Sequence, residues 1–306
     1  MENDLKNNNM PDLSKFVMTE EELKKAEVRQ KVAKTTRTIL IYLFLFILAV
    51  VMVFPFYWMI ISALKTKTEY DAAIPTLFPH EVHWENFANA WQAADFGRYM
   101  INTLIVGVTS TILSLVITVL AAFAFARLKF KGRDTLFAIL LATMMIPGEM
   151  FTTTNYTTIY FLKWQNSYVV LIVPFLVSVF YIYLLRQNFK QIPDSLYYAA
   201  KVDGCSDMKY LIKVMVPLSS PTIISITILK LMGSWNSYMW PRLVANDEAY
   251  RLVTNGLRQA SFSEEGFVNY PLQMAAVTLI SIPLFIIFVL FRKYIMRGVS
   301  RSGTKG

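Results

Sequence analysis

Two ionisable side chains, Glu149 and Lys230, stand within otherwise apolar stretches of the sequence. An isolated charge in the middle of a membrane costs about 3 kcal/mol, so each should face a protein interior or reach the membrane interface. The two side chains could also pair with each other. Both residues are candidates for lining a substrate path, and a purely structural role is the alternative.

An aromatic and amide group follows Gly233 and consists of Trp235, Asn236 and Tyr238. An aromatic ring can stack on the apolar face of a sugar, and an amide can bond to sugar hydroxyl groups. Trp and Tyr near the end of a span also serve as interface anchors. These three residues are therefore further candidates for the path, with anchoring as the alternative.

Residues for catalysis or metal binding are scarce. The sequence has two histidines, His80 and His83, and one cysteine, Cys205. It lacks the Gly-x-x-x-x-Gly-Lys-Ser/Thr loop that cradles nucleotide phosphates. No third histidine exists to complete a metal site. We predict no catalytic residue, no metal site and no cofactor in this chain.

The composition places these residues in a membrane protein. Of 306 residues, 55% are hydrophobic and 17% are charged, with a mean hydropathy of +0.42. A helix needs about 20 apolar residues to span the hydrocarbon core. We predict an all-α integral membrane protein with six spans, over residues 39–64, 99–126, 135–162, 164–185, 214–241 and 267–291.

Breaks are expected in two of these spans. Pro147 and Gly148 interrupt the third span, and Lys230 with Gly233 interrupts the fifth. Broken helices in membranes face a protein interior or a water-filled cavity. The two breaks therefore indicate where a path could lie.

The positive charges predict the orientation. Most of the 30 Lys and Arg residues lie before residue 39, in residues 127–133 and 186–213, and after residue 291. The positive-inside rule places these segments and both termini in the cytoplasm. The net charge of +9 is explained by this topology, and not by binding to nucleic acid.

The segments outside the spans carry separate predictions. Residues 1–38 form a cytoplasmic segment in which Thr19 and Glu22 fit a capping box, so that residues 20–34 should be a short helix along the membrane surface. The outer loop 65–98 is expected to hold short helices. The outer loop 245–266 is acidic and is expected to be solvated.

A polar segment, residues 193–221, separates the fourth and fifth spans and predicts a helix–turn–helix. Asp194 or Ser195 is placed to cap the first helix. Gly204 suits a left-handed helix end. Ser206 can cap the second helix, which runs towards the membrane.

The order of residues in this segment resembles the EAA loop of ATP-binding-cassette (ABC) importer permeases. The matching residues are Ala199-Ala200, Asp203-Gly204, Val216-Pro217-Leu218 and Pro221. Further matches, in the family's order, are Asn102-Thr103-Leu104, residues 122–132, Ser234-Trp235-Asn236 and the Gly-rich end 298–306. Together they resemble the smaller permease of maltose-type sugar importers over roughly residues 38–306.

The resemblance implies a type I importer fold, with a six-helix membrane domain over residues 39–297, a cytoplasmic coupling helix between the fourth and fifth spans, and a cytoplasmic tail over residues 298–306. It implies import of sugars, oligosaccharides first, with glycerol phosphate or polyols as the alternative. The implied protein partners are a second, homologous permease in a heterodimer, two ATPase subunits that bind ATP and Mg²⁺, and an external sugar-binding protein. The chain is expected to lie in the lipid of a bacterial cytoplasmic membrane and to bind no nucleic acid. A stand-alone ion-coupled carrier would need more intramembrane acids than Glu149.

The resemblance also assigns ATPase coupling to a set of residues in the segment 193–217. They are Ser195, Tyr198, Ala199, Ala200, Asp203, Gly204 and Met208. Tyr198 stands where the family usually has Glu, and it can neither form a capping box with Ser195 nor offer a charge. The docking surface is expected to persist with different polar contacts. A push on residues 195–208 is expected to rotate the fifth span, as if the two formed one rigid piece.

Overall fold

The computed structural model describes the backbone of residues 20–264 and 267–300. Thr19 of the expected capping box and residues 301–306 of the tail lie outside the described residues. The chain divides into two compact units, Met1–Trp58 and Met59–Gly306. The second unit contains every candidate site residue.

Most of the described chain is helical. The helices are α1 (Glu20–Ala63), α2 (Lys67–Tyr70), α3 (Glu85–Gln92), α4 (Phe96–Arg127), α5 (Arg133–Thr143), α6 (Thr152–Leu162), α7 (Tyr168–Ile172), α8 (Val179–Lys190), α9 (Asp194–Val202), α10 (Asp207–Tyr210), α11 (Val216–Leu218), α12 (Ser220–Trp235), α13 (Met239–Val244), α14 (Val253–Gln259) and α15 (Tyr270–Ser300). Three 3-10 turns (Gly148–Phe151, Val173–Phe175 and Glu248–Tyr250) and a π-helical turn (Leu211–Met215) lie between them. A short hairpin pairs β1 (Ser263–Glu264) antiparallel with β2 (Phe267–Val268). The predicted helical class is confirmed.

The first helix, α1, runs without interruption for 44 residues. Residues 20–34 are helical as predicted, but they are the beginning of α1 and not a separate helix, and their position along the membrane surface stays a prediction. Extending an existing helix costs far less than starting a new one, so the charged turns continue directly into the apolar ones. Residues 39–56 are apolar on all sides of the helix, as in helices surrounded by lipid or other membrane helices.

Up to six spans can be assigned in the described residues. Three helices have the length and hydropathy of a span by themselves: Val28–Ala63, Phe96–Arg127 and Tyr270–Lys293. Three helix pairs qualify only as bent units: Arg133–Thr143 with Gly148–Leu162 (82°), Tyr168–Phe175 with Val179–Lys190 (45°), and Asp207–Leu218 with Ser220–Trp235 (80°). Six spans result if each bent pair crosses the membrane once, which is the number that the sequence predicts.

The bends lie only partly where the sequence predicts them. The third span breaks between α5 and the following 3-10 turn, as expected. The break predicted in the fifth span is wrong, because α12 continues past Lys230 and Gly233 and the bend lies at Ser219 instead. A single glycine costs a helix only about 1 kcal/mol. Pro217 and Pro221, on either side of Ser219, lack the N–H groups that would continue the helix.

Helix α4 is the central element of the second unit and contacts α8, α12 and α14. Small polar side chains recur on its buried face: Thr103, Ser110, Thr111, Ser114 and Thr118. Short side chains at a membrane helix interface let the backbones approach closely. At Gly107, an added Cβ would lie 3.2 Å from Leu231 Cδ1 of α12.

Buried apolar side chains form three clusters along α4. They include Phe96, Tyr99 and Trp235 in the first cluster, Val106, Leu171 and Trp240 in the second, and Phe123, Phe189 and Tyr210 in the third. The third cluster lies under α9 and α10, and the second lies beside an internal cavity. The clusters thus connect the two regions where function is predicted.

The loop 65–98 contains the short helices α2 and α3, as predicted. The Asn86 side-chain amide donates hydrogen bonds to the backbone carbonyls of Ala63 (2.9 Å) and Lys65 (2.8 Å). These carbonyls lie at the end of α1, where no intrahelical donor remains. The loop is therefore folded back onto the helix that it follows.

The loop 245–266 is packed against α4, so the prediction that it is solvated holds for its exposed residues Asp247 and Glu248 and is wrong for the apolar residues that follow them. The Asn102 amide of α4 donates to the Ala249 carbonyl (2.9 Å), and the Thr103 hydroxyl accepts from the N–H of Val253 (2.9 Å). Val253 is fully buried. Burial of apolar residues such as Val253, together with these hydrogen bonds to α4, therefore fixes the position of this loop.

Candidate functional site

The last residue of α4, Arg127, holds the beginning of α9. Its guanidinium group forms an ion pair with Asp194 and donates hydrogen bonds to the backbone carbonyls of Phe189 (2.7 Å) and Ile192. The planar guanidinium can reach several acceptors at once, which a lysine ammonium could not do with the same geometry. Helix α9 is thus fixed to the central helix at its first residue.

The caps of α9 and α10 differ from each other. Pro193 occupies the cap position of α9, without a side-chain hydrogen bond. The prediction that Asp194 or Ser195 caps this helix is wrong, because the Asp194 carboxylate turns to Arg127. The predicted cap of α10 is confirmed, since Ser206 Oγ accepts a hydrogen bond from a backbone N–H of that helix at 3.4 Å.

Gly204 forms the turn between α9 and α10, with the predicted left-handed backbone at φ +71°. Next to this turn, the Asp207 carboxylate accepts hydrogen bonds from the Tyr197 hydroxyl (2.7 Å) and pairs with the Lys201 ammonium group (2.8 Å). The contact with Asp207 raises the pKa of Lys201. Burial raises the pKa of Tyr197, and its hydrogen bond to Asp207 raises it further. Lys201 is therefore charged and Tyr197 neutral at neutral pH, so both contacts with Asp207 join α9 to α10.

One surface carries most of the residues that the resemblance assigns to coupling. Six of the seven are exposed: Ser195, Tyr198, Ala199, Asp203, Gly204 and Met208. Ala200 is half-buried and packs against the third core cluster. Three of these residues, at positions 195, 198 and 199, recur at helical spacing and share one stripe of the helix. We call these seven residues the α9 surface, and their contact with an ATPase stays a prediction.

Apolar residues next to the α9 surface escaped the prediction. Val202 is 88% exposed, and Leu196 and Ile212 are also exposed. Exposed aliphatic side chains clustered on one surface are typical of contacts with other proteins. Val202 lies seven residues after Ser195, so the helical spacing alone could have added it to the stripe.

A cavity of about 390 Å³ lies between α4, α12 and the bent pair of α7 and α8. Its polar lining includes Lys230, Ser110, Ser178, Tyr181, Ser234 and Ser237. Its apolar walls include Phe175 and Trp240, whose rings meet edge to face with centroids 5.9 Å apart. The volume falls within the range of about 300–1,000 Å³ that is typical of small-molecule sites.

Of the five predicted path residues, Lys230 is the one that lines this cavity. Trp235 is only 2% exposed and belongs to the first core cluster. Trp240 lines the cavity instead, and its ring N–H donates to the Val170 carbonyl at 3.0 Å. The sequence prediction selected the neighbouring tryptophan because it could not tell which side of the broken span faces the cavity.

The other predicted path residues lie apart from the cavity. The Asn236 amide donates to a backbone carbonyl one turn earlier in α12 (3.0 Å). The Tyr238 hydroxyl accepts a hydrogen bond from Arg242 (2.8 Å). Glu149 is exposed in the 3-10 turn of the third span and forms no ion pair with Lys230. The pairing considered for these two charges is therefore not found.

The described residues contain no group of three or more His, Cys, Asp or Glu side chains that could hold a metal ion. His80 lies 3.5 Å from the carboxylate of Glu69 on the surface of the loop 65–98.

The described helices form a bundle with an exposed helix pair and a cavity, which are features that a membrane transport subunit requires. The family of binding-protein-dependent transport system inner membrane components matches residues 114–301, and this chain belongs to that family. The predicted resemblance to importer permeases is confirmed.

Two relatives and one solved structure illustrate the similarity. The chain is 28% identical over 271 residues to the probable ABC transporter permease protein YurM of Bacillus subtilis (strain 168), covering 87% of this chain and 88% of YurM. It is 30% identical over 258 residues to the sn-glycerol-3-phosphate transport system permease protein UgpE of Escherichia coli O1:K1, covering 82% of this chain and 92% of UgpE. It shares its fold with a chain of a bacterial ABC transporter that imports the acidic polysaccharide alginate, at a TM-score of 0.78 and 22% identity, covering 86% of this chain and 97% of that chain.

Proposed function

We propose that this chain is one permease subunit of an ATP-driven ABC importer whose cargo is a sugar. In the assembly it pairs with a second, homologous permease in the cytoplasmic membrane of a bacterium, with both termini in the cytoplasm. Two ATPase subunits bind ATP and Mg²⁺. One docks on the α9 surface, and the other docks on the equivalent surface of the sister permease. An external binding protein delivers the cargo, and this chain itself needs no cofactor.

The observation that carries the proposal is the α9 surface, presented on a helix that Arg127 fixes to the central helix α4. A docking surface can transmit force only if the element that carries it is anchored to the spans. Arg127 and Ser110 of the cavity lie 17 residues apart on α4, a distance of about 26 Å at 1.5 Å per residue. A displacement of α9 therefore has a direct route to the cavity.

This route differs from the one expected from the sequence. We expected the push to pass along a rigid piece that continues into the fifth span. The 80° bend at Ser219 separates α10 and α11 from α12, so the two do not form one rod. We assign the main transmission to α4, with the bent fifth span as a second path, in a rigid-body change between two states.

Glycerol phosphate is the second candidate cargo. UgpE, whose name assigns it to a system for sn-glycerol-3-phosphate, is 30% identical over most of the chain. Docking of ATPase subunits on the α9 surface would serve either cargo equally. The choice between the two cargoes therefore depends on the cavity and on the binding protein.

Purification in mild detergent tests the proposal. The tagged chain should recover a sister permease and two ATPase subunits, and the complex should hydrolyse ATP faster when the binding protein is added with its ligand. Tyr198 is 53% exposed, so Tyr198→Ala should lower the yield of ATPase subunits by loss of contact area, whereas Tyr198→Phe should retain it. Recovery of the chain alone would refute the proposal, and equal yields from both variants would remove Tyr198 from the docking contact.

A further inference from the structure

The cavity contains one cation and no carboxylate among its lining residues, all of which are described. Lys230 is half-buried on α12, and its ammonium group donates one hydrogen bond to the backbone carbonyl of Phe175 at 2.5 Å. An ammonium group has three N–H donors, so two remain for another acceptor. A positive charge in a low-dielectric site strongly favours a negative partner.

The carbonyl that Lys230 contacts is free because of the bend in the fourth span. Phe175 ends a 3-10 turn, and α8 begins only at Val179, after a 45° change of direction. Carbonyl groups at a helix end lack their usual donors. The carbonyl thus positions the ammonium group at the cavity wall, but a neutral oxygen leaves the charge uncompensated.

The remaining lining matches a polyhydroxyl compound. Hydroxyl groups of four serines and one tyrosine line the cavity: Ser110, Ser178, Tyr181, Ser234 and Ser237. Hydroxyl groups both donate and accept, which suits the hydroxyls of a sugar or a polyol. The rings of Phe175 and Trp240 add an apolar wall. We infer that this cavity binds a sugar or polyol that carries an anionic group, a carboxylate or a phosphate, with Lys230 as the residue that pairs with that group.

This inference rests on the proposed function, because it names the chemical class of the cargo of that same permease. The inference also differs from a purely structural role of Lys230 in what it requires of the side chain. A lysine that only bridges the bent fourth span to α12 could be replaced by a neutral donor to the Phe175 carbonyl. A lysine that pairs with an anionic cargo requires its charge.

The test uses the complete transporter in lipid nanodiscs, without the binding protein, and measures ligand binding by saturation-transfer NMR. The probes are maltotriose as a neutral sugar, digalacturonate as a carboxylate sugar and sn-glycerol 3-phosphate as a phosphorylated polyol. The wild-type complex should bind at least one anionic probe more tightly than maltotriose. The comparison of the two anionic probes distinguishes a carboxylate cargo from a phosphate cargo.

Two variants isolate the charge. Lys230→Gln keeps an N–H donor and should weaken binding of the anionic probe about 10- to 100-fold, the range for loss of a charged hydrogen bond. Lys230→Arg keeps the charge and should retain most of the affinity. Lys131→Gln removes an exposed lysine in the loop after α4 and serves as the matched control, with affinity unchanged.

Three results would overturn the inference: tighter binding of maltotriose, no binding of either anionic probe, or equal affinity of Lys230→Gln and wild type for the anionic probe. The same nanodiscs report on the proposed function through ATP hydrolysis stimulated by the binding protein. A complex that is stimulated in this way but prefers maltotriose leaves the permease role intact and contradicts only the anionic cargo. A complex without such stimulation contradicts the permease role itself.

Discussion

Arg127 and Asp194 form an ion pair between two very different environments, with the arginine side chain 5% exposed and the aspartate side chain 70% exposed. The exposed carboxylate can be solvated without its partner, whereas the backbone carbonyls of Phe189 and Ile192 depend on the guanidinium group. The arginine is therefore the member of the pair that holds α9 to α4.

The difference in burial between the two side chains predicts that their mutations have different effects on stability. Arg127→Gln should destabilise the anchored end of α9 by about 2–3 kcal/mol, because buried carbonyls lose a charged donor. Asp194→Asn should cost less than about 1 kcal/mol, as for other exposed ion pairs. Hydrogen exchange of the α9 amides in the purified complex measures both effects. Equal protection in the two variants would contradict the anchoring role of Arg127.

Gly204→Val should separate ATP hydrolysis from transport while leaving the chain inserted in the membrane. No atom lies within 4 Å of an added Cβ, so the effect comes from the left-handed backbone, which costs an L-residue about 1–2 kcal/mol, and not from a blocked turn. Transport and ATP hydrolysis are measured together in proteoliposomes.

Gly132 supplies the matched control for that variant. It also has a left-handed backbone, at φ +78°, with no atom within 4 Å of an added Cβ, but it lies in the loop after α4. Gly132→Val should lower stability by a similar amount and leave the ratio of transport to hydrolysis unchanged. Normal uptake by Gly204→Val would exclude the turn from coupling.

Two glycines on buried interfaces should respond differently to alanine. An added Cβ on Gly256 would lie 2.1 Å from Tyr99 Cδ2, so Gly256→Ala should destabilise the packing of α14 on α4 by about 2–3 kcal/mol. At Gly107 the nearest atom is the end of the flexible Leu231 side chain, so Gly107→Ala should cost less than about 1 kcal/mol. Thermal unfolding in detergent compares the two, and equal midpoints would contradict the close packing at Gly256.

Acid should loosen the loop 65–98. Burial opposes ionisation of Glu69, but hydrogen bonds from Thr76 and from the His80 backbone outweigh it, together with the charges of His80 and Lys65, and lower the pKa of Glu69 below its ordinary value of 4.5. A lowered folded-state pKa means that the stabilisation is fully present above pH 4.5 and is lost as the pH falls below it.

Hydrogen exchange of the amides around His80 measures this dependence on pH. Wild type should lose protection below pH 4.5, whereas Glu69→Gln should show a lower, nearly constant protection over the same range. A wild-type profile that is flat down to pH 3 would show that the Glu69 carboxylate does not stabilise the loop.

The sequence predicts the elements better than it predicts which side they present. Apolar runs locate the spans, and Gly204 and Ser206 mark the turn between α9 and α10. Their direction depends on tertiary packing, so Tyr197 turns inward to Asp207 while its neighbour Tyr198 is exposed, and Trp235 is buried in the core away from the cavity. Sequence spacing alone does not distinguish these cases.

Long-range partners escape prediction for a related reason. Arg127 lies in one of the segments that resemble importer permeases, but its partner Asp194 is 67 residues away and was expected to cap a helix. Lys230 was expected to mark a break because it is charged, whereas α12 tolerates it by directing the ammonium group to a free carbonyl. In both cases a charged side chain is positioned by a neighbour that only the folded chain supplies.

The bend at Ser219 gives the fifth span the form of an elbow. Its two arms meet at 80°, so a thrust along the first arm is almost perpendicular to the axis of the second. The second arm, α12, would then tip sideways and not slide lengthwise. Because Lys230 and Ser234 stand on that arm and line the cavity, tipping would move these two side chains relative to Ser110 on α4.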